Sequence, residues 1–172
     1  MAKLDFQPVF GTHAVPQLLN DLAEFAADCK GYYSGRFKLA PESAEGWLGG
    51  PERAADFALF GHDPDGSLYG FWLYEGRTPA NAPVVYLNAN HSNSSVLAND
   101  LEEFLALLAL DVTDLGMYFD EADRPHKRSP GNAAFRTWLA DCFGIEPAAL
   151  APRVVKRAGA AHPALDTKYR RR

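Results

Sequence analysis

The feature that most narrows the fold of this 172-residue chain is a set of short apolar segments in its middle, each closed by turn formers. Asp56-Phe57-Ala58-Leu59-Phe60 reads as a strand, and Gly61-His62-Asp63-Pro64-Asp65-Gly66-Ser67 supplies Gly, Pro and Asp for a tight reversal. Leu68-Tyr69-Gly70-Phe71-Trp72-Leu73-Tyr74 is a second, aromatic-rich strand, broken by Glu75-Gly76-Arg77. Ala82 to Leu87 reads as a third, with Pro83 at its start where no ladder N–H is needed, and Ser95-Val96-Leu97 as a short fourth. Strands joined by tight turns predict an antiparallel meander. In the second strand both alternating sets of residues are apolar, so that strand is expected to be covered on both faces.

Helical periodicity flanks this region. Leu18, Leu22, Phe25 and Cys29 recur at helix spacing between Val15 and Lys30, with Leu19 and Ala26 widening the stripe. Pro16 suits a first helical turn and Gly31 a stop. Asn99 is expected to cap a second helix with Glu102 completing a capping box, and Leu101, Phe104, Leu105 and Leu108 form its buried stripe. A third helix follows Ser129-Pro130, carries Phe135, Trp138, Leu139 and Cys142 on one face, and ends at Gly144. Helix, meander, then helices is an α+β order, since βαβ alternation is missing. The expectation is a single α+β domain, an antiparallel β meander packed by N-terminal and C-terminal helices.

Charge divides the chain unevenly. Residues 153–172 hold seven Lys and Arg against one acid, Asp166, a charge of +6; the other 152 residues hold ten bases and 21 acids, −11. The domain is therefore assigned to residues 1–152 and a basic, flexible tail to residues 153–172. An acidic body argues against nucleic acid as a direct partner. Cys29 and Cys142 are far apart and lack the Cys/His pairs of a zinc site, which argues against a disulfide scaffold or a structural metal. The opening residues lack a signal-peptide run, and no segment approaches the ~20 apolar residues of a membrane span, so a cytoplasmic protein with free thiols and no membrane partner is expected.

Chemical motifs are few. Asp63 and Asp65 resemble the start of a calcium loop, but the glycine comes too early and Tyr74 stands where a bidentate Glu should close it, so the turn reading is preferred. His13, His62, His91, His126 and His162 are scattered without metal-ligand spacing and read as surface or loop histidines. There is no Gly-x-Ser-x-Gly elbow, phosphate loop or dinucleotide fingerprint, so neither catalysis nor a cofactor is expected. Between Asp100 and Asp123 stand eight acids and no Lys or Arg. Asp100, Glu102 and Glu103 are accounted for by a helix N-terminus. Asp111, Asp114, Asp120, Glu121 and Asp123 are not, and they are the candidate partner-binding residues, which would steer a basic partner. The bland alternative is a solvated acidic face.

The stretch from Trp47 to Leu108 resembles the SUKH superfamily, which includes fungal cell-wall assembly regulators and many bacterial proteins. The likeness is carried by Ala54 to Gly61, by the Asp65-Gly66-Ser67 turn running into Leu68 to Tyr74, by Ala82 to Leu87, and by Leu97 to Leu101 with Glu103-Phe104-Leu105. It implies an α+β domain, a non-enzymatic role and no catalytic residue. Bacterial members are typically immunity proteins that bind and neutralise a toxin, often a nuclease. The Ala- and Arg-rich composition favours that branch, so the expected partner is a basic cognate toxin. Two rival readings are a regulatory scaffold of the cell-wall assembly type acting through the basic tail, and a small-molecule binding domain with a pocket near Trp47, Tyr69 and Trp72.

Overall fold

The meander is present and one strand wider than expected. In a computed structural model, which describes residues 3–112, 127–149 and 151–165, five antiparallel strands pair in sequence order. They are β1 (Lys38–Glu42), β2 (Phe57–His62), β3 (Leu68–Trp72), β4 (Val84–Leu87) and β5 (Ser95–Ala98). Around them lie α1 (Gln7–Phe10), α2 (Gln17–Asp28), α3 (Glu45–Leu48), α4 (Pro51–Ala54), α5 (Leu101–Leu108), α6 (Asn132–Phe143) and α7 (Ala151–Ala161). The fold is a single-domain α+β architecture. No helix among the described residues is long and apolar enough to cross a membrane.

The sheet is buried on both sides, as the double apolar parity of β3 requires. Tyr69 pairs with Tyr86 and Phe71 with Val84 and Ala58, so these side chains share one face. That face meets Phe6, Phe10, Leu19, Leu22, Phe104, Leu105, Phe135 and Leu139 from α1, α2, α5, α6 and the segment before α1. Phe57, Leu59, Trp72, Val85, Leu87 and Val96 point the other way and meet Ala44 and Leu48 near α3, Ala158 of α7, and Leu165. The hairpin between β2 and β3 is closed by Asp63 N–H to Ser67 O (2.9 Å) and Gly66 N–H to Asp63 O (3.0 Å), with Gly66 at φ 90°. Asp65 accepts from Ser67 N–H at 2.9 Å. The Asp-rich loop uses its side chains to shape the turn.

Three features differ from the sequence expectation. β1 has little apolar alternation and contains Pro41; it is tolerated at the sheet's edge, where one row of backbone groups has no ladder partner. The cap of α5 is Asp100, one residue after Asn99: Asp100 accepts from Glu103 N–H (2.8 Å), and Glu103 accepts from Asn99 N–H (2.9 Å). Residue 153, the expected start of the basic, flexible tail, falls inside α7, so the basic segment begins as a docked helix. Its bases conceal an apolar stripe, with Ala151 and Ala158 buried, Val154 and Val155 packed against the core, and Arg153, Lys156 and Arg157 exposed.

Gly70 is required by the bulge between Leu59 and Gly61. A Cβ at Gly70 would lie 2.5 Å from both Ala58 O and Leu59 Cα, backbone atoms of the neighbouring strand that cannot swing aside. Gly70→Ala is expected to lower stability by about 1–3 kcal/mol, the usual cost of overpacking, read as a lower denaturant midpoint.

Candidate protein-binding site

The most distinctive surface lies where α2 meets α6. The stripe of α2 places Phe25 against Phe135 and Trp138 of α6, with ring centroids 5.5 and 4.9 Å apart, and Phe143 stands edge-on to Trp138 at 5.0 Å. Phe135 is buried and Trp138 half-buried, while Phe143 at the helix end is 38% exposed. The rings thus form a ladder running from the core to the surface. It ends in a cleft of about 580 Å³, floored by Phe25, Trp138 and Phe143 and rimmed on the α2 side by Asp21, Glu24 and Asp28. Helical spacing puts these three acids on one flank of α2. Lys30 is the sole cation among the lining residues. Asp21 accepts from Gln17 Nε2 (2.8 Å), and Glu24 meets Lys3 Nζ at 3.4 Å in a solvent-exposed pair that contributes little.

The helices are brought together at the base of this cleft. Gly131, ahead of α6, donates its N–H to Tyr32 O (2.9 Å), and a side chain there would collide with Cys29 Sγ. The Cys29 thiol is pushed up in pKa by burial, so it remains a protonated, packed group with little nucleophilic character.

Asp111 does a different job from the one its acidity suggests. It is fully buried at a left-handed φ of 61°. Its carboxylate accepts from Gly35 N–H (2.7 Å), Ser129 N–H (2.6 Å) and Ser129 Oγ (2.6 Å). Nearby, Ser34 donates to Leu108 O (2.6 Å) and Asn132 Nδ2 donates to Tyr33 O (3.1 Å). Together these bonds tie the loop after α2, the end of α5 and the start of α6. As a partner-binding residue Asp111 is therefore corrected: enclosed and occupied, it positions the cleft without facing it. Asp114, Asp120, Glu121 and Asp123 lie outside the described residues.

The residues suggested for a small-molecule pocket do not converge. Tyr69 is buried on one sheet face and donates to Asp63 Oδ2 (2.6 Å), and burial first, then Asp63, raises its pKa well above the ordinary value. Trp72 is buried on the opposite face beside Tyr74, and Trp47 donates Nε1–H to Asn88 O (2.7 Å) with its ring 4.8 Å from His91. His162 is also no loose surface group, since it bridges Tyr74 and Asn99. Among the described residues no group of three or more His, Cys, Asp or Glu could hold a metal ion. The acid-rimmed ladder was missed in sequence because Phe135, Trp138 and Phe143 come from a helix over a hundred residues beyond the acids. Spacing of Asp21, Glu24 and Asp28 beside Phe25 was the available signal. No family model matches the chain, and no curated protein or solved structure matches it.

Asp111→Ala removes the acceptor for three part-buried donors. The expected loss is about 3 kcal/mol, as for hydrogen bonds to a charged group, measured by chemical denaturation.

Proposed function

We propose that the protein is a non-catalytic, immunity-type binder that occludes a basic toxin in the cytoplasm, with the cleft between α2 and α6 as its docking site. The observation that carries this reading is the pairing of an aromatic floor, half-buried at Phe25 and Trp138 and exposed at Phe143, with three carboxylates on one rim. Aromatic anchors supply most of the energy in protein interfaces because they bury large, rigid surfaces. Carboxylates at the rim attract a cationic partner from a distance and accept hydrogen bonds from its Arg or Lys on arrival. An arginine fits this mixture best: its plane stacks on an indole or phenyl ring while its N–H groups reach the rim. The acidic body, −11 outside residues 153–172, extends the same attraction over the whole molecule. The resemblance to the SUKH superfamily points to the same role, and to a toxin as the partner.

The test is a tagged pull-down from host extract, washed across a salt series and read by mass spectrometry. The wild type is expected to recover one near-stoichiometric basic protein, lost as salt rises. Replacing Asp21, Glu24 and Asp28 together by Asn, Gln and Asn should slow association of that protein by about tenfold and flatten its salt dependence. Trp138→Ala should speed dissociation. Equal recovery and kinetics in both variants would remove this cleft from the mechanism. Recovery of an assortment of unrelated proteins would instead point to a scaffold.

A further inference from the structure

The imidazole of His162 joins α7 to two other parts of the fold. Its Nδ1 is 2.8 Å from Tyr74 Oη, on the turn after β3, and its Nε2 is 3.0 Å from Asn99 Oδ1, just before α5. The hydrogen-bond network assigns the tautomer. Asn99 Nδ2 donates to Glu103 Oε2 at 3.2 Å, which leaves its Oδ1 facing the ring as an acceptor. Nε2 therefore carries a proton and donates it to Asn99, while Nδ1 is bare and accepts from the Tyr74 hydroxyl. This arrangement satisfies a neutral ring. A second proton, on Nδ1, would break the bond from Tyr74 and force that hydroxyl to turn and accept instead, with its own hydrogen left to find another partner at a residue only 4% exposed.

Charges around the site act in the same sense. Arg77 lies over the Tyr74 ring at 4.7 Å and opposes a positive imidazole. Glu103 of α5 would favour one, but its carboxylate is already engaged by Arg157 of α7 and by the backbone and side-chain amides of Asn99. Desolvation first, and Arg77 second, lower the His162 pKa below its ordinary value of 6.5. Elsewhere α7 docks through small or half-buried side chains: Ala151, Val154 and Val155 meet the larger core, and Ala158, with Leu165 beyond the helix, meets the face that carries Trp72, Val85 and Val96. Such contacts bury little apolar area per residue, so the polar bridge at the end of α7 weighs heavily in its docking.

We propose that His162 is a pH-sensitive latch, which holds α7 on the second face of the sheet while its ring is neutral and releases the helix when the ring is protonated. Release uncovers Trp72, Val85 and Val96. The sign follows from linkage: the undocked helix, with an ordinary histidine, binds more protons than the docked one. The latch's contribution is thus complete above about pH 6.5 and is lost as pH falls through the lowered value. No residue of α7 lines the cleft between α2 and α6, so the latch and its test stand apart from that site.

The test is amide exchange of the full chain at about pH 7.5 and about pH 5, corrected for intrinsic rates, alongside an NMR titration of the His162 ring. Protection across 151–161 should fall about tenfold for each unit by which docking lowers the pKa, while α2 and α5 stay protected. The loss should track a ring midpoint below 6.5. Tyr74→Phe removes the donor to Nδ1, so the ring midpoint and the release should both move to higher pH. Unchanged protection of 151–161 at low pH, or a ring midpoint at or above the ordinary value, would overturn the latch. So would a Tyr74→Phe midpoint equal to the wild type's.

Discussion

The structure depends on one strand that cannot be left half-covered. β3 sends Tyr69 and Phe71 to one face of the sheet and Trp72 to the other, all at most 1% exposed. Burying each is worth roughly 1.5–3 kcal/mol, so an uncovered face would forfeit much of a small domain's margin. The rest of the chain is arranged to meet this requirement. The aromatic face takes α2, α5 and α6; the second takes α3, Ala158 of α7 and Leu165. A helix rich in Arg and Lys can cover apolar surface because its inward stripe is small: Ala158 meets the face of Trp72 and Val96, while Ala151, Val154 and Val155 pack against the larger core.

Polar groups settle where those helices sit. Apolar packing alone tolerates sliding and rotation, whereas a buried carboxylate with three donors accepts few arrangements. Asp111 holds Gly35 and Ser129 together, and Asn132 reaches back to Tyr33 O. These bonds place the first turn of α6 beside the end of α2, and Gly131 lets the two approach without a side chain between them. The aromatic ladder and its acidic rim follow from that placement. A residue that looked like a surface charge thus acts at a distance, by fixing the geometry of a surface it does not share.

Much of the fold was readable from local pattern. The strands after residue 55 appear within two residues of their expected bounds, Gly66 turns the hairpin at positive φ, and Gly144 ends α6 in the left-handed region. These signals are local: periodicity, a missing Cβ, a cap. β1 escaped because an edge strand needs only one good partner, and Lys38, Pro41 and Glu42 carry no alternation. α7 escaped because charge outweighed a stripe of alanines and valines. The docking cleft escaped for a third reason, since no window of sequence contains both Asp21 and Phe143.

The sequence by itself determined the meander, its double-sided burial and the existence of α2, α5 and α6 around it, because side-chain period and turn chemistry act within a few residues. It determined as well the surplus of acid outside residues 153–172, which is a matter of counting. Only the tertiary structure decided what individual acids and histidines do. Asp111 is enclosed by donors from two distant loops, Asp21, Glu24 and Asp28 rim a cleft completed by α6, and His162 is bridged by Tyr74 and Asn99. The physical reason is that a carboxylate or imidazole takes its role from burial and from its partners, and both are set by segments far away in the chain.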